Sequence, residues 1–136
     1  MGRLILSVLA GYAFTGALVV VTDQMFAMLA PGFAQASSPP AYYFAFSVLT
    51  DSLYAIMGGY VCATVAKADW RRATLGLMLF GELVGVASQI ALWQTVPHWY
   101  GVGLLILFPI AVWIGGIRWR GSTQANLVAT NGPVNS

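Results

Sequence analysis

Three carboxylates stand inside otherwise apolar stretches of this 136-residue chain: Asp23, Asp51 and Glu82. A charge near the bilayer centre costs about 3 kcal/mol on insertion scales, so such residues face a protein interior and are functional candidates by default. Glu82, Gly85 and Gln89 recur at i, i+3 and i+7, which is one face of a helix, and Ser88 lies beside them. Ser47, Asp51 and Tyr54 share a second face. These two faces are expected to meet in an outward-leaning polar pocket of Asp51, Glu82, Gln89 and Ser88. Asp23 is expected higher, near the outer interface, beside Thr22 and Gln24.

No Lys or Arg lies within these apolar stretches to act as a counter-ion. Three kinds of chemistry then stay open for the acids. They can be neutral and hydrogen-bonded to Gln89, Ser88, Ser47 or Tyr54. They can exchange protons or bind a cation in a transport cycle. They can pair with a basic residue of another subunit. A metal is not expected, because His98 has no cysteine or carboxylate pair near it. There is no Gly-x-Ser-x-Gly, no Cys–His pair and no phosphate-cradling loop. No catalytic residue and no cofactor is therefore assigned.

The elements that must hold these residues follow from composition. Hydrophobic residues make up 59% and charged residues 7%, against about a quarter charged in soluble domains. Mean hydropathy is +0.77. A water-soluble fold could not cover its surface with so few charges; lipid as the solvent removes the difficulty. A spanning helix needs about 20 mostly apolar residues. The sequence predicts an all-α, four-transmembrane-helix bundle with spans at about 4–30, 41–66, 73–95 and 98–117. Pro31-Gly32 ends the first span, and Gln35 to Pro40 reads as a loop. Lys67 to Arg72 reads as a short charged loop in which Asp69 caps the third helix. Gly121 to Ser136, free of charge, reads as a disordered cytoplasmic tail.

All six basic residues fall on one side of such a bundle. Arg3 precedes the first span, Lys67, Arg71 and Arg72 lie between the second and third, and Arg118 and Arg120 follow the fourth. The positive-inside rule then places both termini in the cytoplasm, in a plasma or bacterial inner membrane. Tyr42, Tyr43, Trp93, Trp99 and Tyr100 fall near the outer interface, and Trp70 and Trp119 near the inner one, where amphipathic rings are favoured. Arg3, an apolar run and Ala34-Gln35-Ala36 also resemble a signal peptide with its cleavage site. The run Leu4 to Val21 exceeds the usual apolar core of such a peptide, so retention is expected.

Packing between helices in lipid relies on close approach and hydrogen bonds. Gly81 and Gly85 on the third span and Gly58 and Gly59 on the second form small-residue stripes. They are expected to bring helices together within the bundle; the sharper alternative is a homodimer contact through Gly81 and Gly85. Pro109 within the fourth span is expected to kink it.

In size and span count the chain is similar to small multidrug transporters, which also carry a membrane glutamate. Theirs lies in the first helix, where this chain has none, and the six-to-zero charge bias here argues against dual topology. Asp23 and Asp51 are likewise similar to the aspartate pair of small four-span lipoprotein signal peptidases. The asparagine-containing surroundings of that pair are absent. Two function classes remain. One is a protein that binds or transports a small molecule, proton or cation through an intramembrane acidic pocket. The other is a non-catalytic accessory or assembly subunit of a membrane complex. The partners expected are the lipid bilayer and either a further copy of the chain or a membrane subunit. Nucleic acid is excluded, since no basic patch has polar residues interleaved with it.

Overall fold

The structure is a computed structural model that describes residues 2–29, 32 and 41–131. It is all-helical. Helix α1 spans Gly2–Leu29, α2 Ala41–Ala66, α3 Trp70–Leu92 and α4 His98–Asn131. A single 3-10 turn, Lys67–Asp69, joins α2 directly to α3. Three continuous helical runs are therefore long and apolar enough to cross a membrane: Gly2–Leu29, Ala41–Leu92 and His98–Thr130. Ala34-Gln35-Ala36 and the whole of the expected loop, Gln35 to Pro40, lie outside the described residues.

The 52-residue run Ala41–Leu92 is not one straight rod. Lys67 takes φ 55°, the left-handed conformation that commonly closes a helix and that glycine adopts without strain. The chain folds back there, and α2 and α3 pack on each other. Asp69 occupies the N-cap position of α3, but its side chain makes no capping bond, contrary to expectation. It pairs instead with Arg72 at 3.9 Å. Both are well exposed, so the pair contributes little.

Residue contacts give the sense of each helix. Against α2, α1 runs antiparallel. The Arg3 Nε donates to the Val65 carbonyl at 3.0 Å at one end, and Phe26 meets Tyr43 edge-on, with centroids 5.8 Å apart, at the other. The arginine thereby satisfies one of the carbonyls that a helix end leaves open. α4 runs parallel to α2, from Phe44 on Tyr100 to Tyr60 near Ser122. α3 and α4 are antiparallel: Gly116 faces Trp70 and Thr74, Gly81 faces Phe108, and Gly101 faces Gln89.

The core is built of small side chains. Ala55, Cys62, Ala66, Ala73, Leu77, Ala111 and Val112 form one buried cluster. Many large apolar side chains point outward, with Met28, Leu83 and Ile90 each more than 70% exposed, although Leu77, Phe44 and Trp70 are buried. That inversion suits a lipid solvent, where association depends on backbone approach rather than on burying large apolar groups. Gly58 packs on Thr15 and the Gly11 carbonyl of α1, while Gly59 packs on the Val112 backbone of α4. Gly81 and Gly85 meet Phe108 and Leu105 of the same chain.

Three expected bounds shift. α3 begins at Trp70 rather than near Ala73 and ends at Leu92 rather than near Thr95. Arginine has good helix propensity, so charge at 71 and 72 does not delay the helix. α4 passes through Pro109 and continues to Asn131, where the sequence suggests an end near Ile117 and a tail from Gly121. The Ser122 and Thr123 hydroxyls bond back to the Trp119 carbonyl at 2.8 and 3.0 Å, so this polar segment meets part of its bonding within the helix. Residues 132–136 lie outside the described residues.

Candidate functional site

Hydroxyls within the helices are nearly all satisfied locally. Buried Ser7 and Thr74 bond back to the Leu4 and Trp70 carbonyls, each at 2.7 Å. Thr15 bonds the Gly11 carbonyl at 3.0 Å and reaches the Tyr54 carbonyl of α2 at 3.3 Å. Thr22 and the Tyr54 hydroxyl share a 2.6 Å bond that ties α1 to α2. Interhelical bonds of this kind average about 0.6 kcal/mol in membranes. A Thr22→Val, Tyr54→Phe double-mutant cycle, read by unfolding in mixed micelles, is expected to give a coupling of about that size.

Against this background one atom stands apart. Among the described residues, Glu82 Oε1 is the buried side-chain oxygen or nitrogen with no hydrogen-bond partner. It lies in a half-open recess of about 280 Å³ bounded by α1, α3 and α4. Gly81 and Gly85 lower the α3 wall beside it, and Ser88 and Gln89 stand on the same wall. Tyr12 and Val19 of α1 and Leu105 and Phe108 of α4 supply the apolar remainder. Tyr12 also packs edge-on against Phe80, with ring centroids 4.9 Å apart. Ser88 donates to the Val84 carbonyl at 2.9 Å, so its hydroxyl proton is engaged within α3.

Asp51 is elsewhere. It shares a small crevice with Asp23, Thr22, Ser47 and Thr50, between α1 and α2. Ser47 approaches Asp51 Oδ2 and the Tyr100 hydroxyl at 3.5 Å each, at the outer limit of a hydrogen bond. Asp23 is exposed and Asp51 half-buried. The expected pocket is thus split. The structure brings Glu82, Gln89 and Ser88 together, and it places Asp51 with Asp23 in a different recess. Tyr54, expected beside Asp51, turns its hydroxyl to Thr22.

Tyr12, Leu105, Phe108 and Tyr100 are neighbours of the acids that the sequence does not single out. Gly81 and Gly85 carry part of that signal, since a small-residue stripe requires larger side chains opposite. His98 is exposed and sits edge-on to Trp93 at 4.2 Å. Among the described residues no group of three or more His, Cys, Asp or Glu is placed to hold a metal. The geometry of the Glu82 recess suits one polar or cationic head on an apolar body: one acceptor, an amide and a mostly hydrocarbon wall. Set against family models, characterised proteins and solved structures, the chain matches none.

Proposed function

We propose that this is a small membrane protein that binds an amphipathic small molecule, with Glu82 receiving its positively charged or hydrogen-bond-donating head. The buried, unpartnered Oε1 carries this reading. A buried acceptor with no donor costs about 1–3 kcal/mol, and a ligand that supplies the donor removes that cost. Binding pockets start at about 300 Å³, so a recess of about 280 Å³ fits a small head and its first few carbons. Entry is from the lipid, through the open side of the recess.

In this proposal the chain crosses the membrane four times, with α2 and α3 as separate crossings. Each is long enough alone, at 26 and 23 residues. Both termini then lie on the cytoplasmic side of a cell membrane, with the six basic residues. Carriage of the ligand across the bilayer is the transport form of the same proposal.

The test is binding of decylamine to the chain in phosphatidylcholine nanodiscs, counted by native mass spectrometry. Glu82→Gln keeps the shape and removes the charge. The expected result is a loss of roughly tenfold or more in affinity, the worth of a charge-assisted hydrogen bond. Equal binding by both forms contradicts the proposal. A second reading, an accessory subunit, places a partner's basic side chain at the same oxygen. It requires a foreign subunit at fixed stoichiometry in the particle extracted from native membranes, lost on Glu82→Gln.

A further inference from the structure

A third recess lies at the opposite end of the helices from Asp23. It has a volume of about 510 Å³, between the 3-10 turn and the extended end of α4. Lys67, Arg120, Trp70 and Trp119 line it, and Thr123 and Gln124 add polar groups. No carboxylate lines it. Among the described residues the one ion pair is Asp69 with Arg72, so neither Lys67 nor Arg120 is neutralised by a salt bridge. Of the other acids, Asp23 and Asp51 sit together in one recess and Glu82 in another.

We infer that this recess binds the headgroup of an anionic phospholipid, with the phosphate between Lys67 and Arg120. Three observations converge on that occupant. Two cations line one cavity with no carboxylate among its lining residues, which favours an anion. The cavity sits where the apolar part of α4 ends at Ile117 and Arg118, the depth at which headgroups lie. Its wall is indole and aliphatic carbon, which suits the glycerol and upper acyl region better than a free, fully hydrated anion.

The backbone adds a fourth. Lys67 holds φ 55°, where a non-glycine residue is strained and glycine is not. Backbone strain of this kind gathers at functional sites. The extension of α4 past its apolar segment has the same reading. It carries Arg120, Thr123 and Gln124 on a fixed helix beside the turn.

The full chain, in detergent with equal phosphatidylglycerol and phosphatidylcholine, is examined by native mass spectrometry. One phosphatidylglycerol is expected to stay bound in preference to phosphatidylcholine. Each cation near a headgroup surface contributes a factor of roughly five, so Lys67→Gln with Arg120→Gln should weaken retention roughly thirtyfold. Arg3→Gln with Arg72→Gln removes the same charge from the same end and should leave retention within about twofold. Lys67→Gly should lose lipid while gaining thermal stability, which separates lost binding from lost folding. Inorganic phosphate at millimolar concentration should not displace the lipid. Equal losses in the two double variants, equal retention of both lipids, or full displacement by phosphate overturns the inference. This site stands or falls independently of Glu82.

Discussion

Gly59→Val is expected to break the α2–α4 contact and lower stability by about 3 kcal/mol or more, beyond the usual range for overpacking. A Cβ at Gly59 would fall against the Val112 carbonyl oxygen and within 3.0 Å of that residue's carbonyl carbon and Cα. These are backbone atoms in the middle of a helix and cannot move aside as a side-chain end can. The same contact is made in reverse one turn away. A Cβ at Gly115 would meet the Ile56 carbonyl oxygen and the Tyr60 nitrogen at 2.8 Å. Either substitution must therefore push the helices apart and loosen the buried cluster that includes Ala55, Ala111 and Val112. Gly16 and Gly103 are the controls, since nothing lies within 4 Å of a Cβ at either. Alanine there should be neutral or stabilise by up to about 1 kcal/mol through helix propensity. Unfolding in mixed micelles by sodium dodecyl sulfate titration checks all four. Similar losses at Gly16 and Gly59 would contradict the packing described.

Glu82→Met should stabilise the protein by about 1–3 kcal/mol while abolishing decylamine binding. Methionine has similar length and no acceptor to strand, so the desolvation cost of the unpaired oxygen disappears. Gains in stability at the expense of function are common where a site is built around an unsatisfied group. If Glu82 instead served the fold through a bond to its own chain, the same substitution would destabilise. The sign of the stability change in the micelle assay thus separates the two roles without any ligand.

Helix ends were legible where the chain marks them chemically. Pro39-Pro40 precede Ala41, and Pro97 precedes His98. The end of α4 was not, because hydropathy reports where the hydrocarbon stops and not where the helix does. Residues 121–130 are largely polar yet helical and almost wholly exposed. The acids were legible as candidates, since a carboxylate in an apolar run is conspicuous. Their grouping was only half legible. Glu82, Ser88 and Gln89 share one helix, and helical periodicity alone joins them. Joining them to Asp51 requires the rotation of α2 about its own axis. α1, α2 and α4 are apolar on nearly every side, so no amphipathic face signals that rotation. It is set instead by Gly58 seating on α1 and Gly59 on α4, contacts that depend on the partner helices.

The most direct measurement is labelling with dicyclohexylcarbodiimide, which partitions into lipid and modifies carboxyl groups it meets there. The chain in phosphatidylcholine nanodiscs is treated with the reagent, with and without decylamine, and the adduct is mapped by peptide mass spectrometry. The expected result is an adduct on Glu82 that forms roughly tenfold more slowly when the amine is present at about ten times its Kd, because only the unoccupied site reacts. An unlabelled Glu82, or labelling at the same rate with decylamine present, would contradict a lipid-accessible ligand site at this residue.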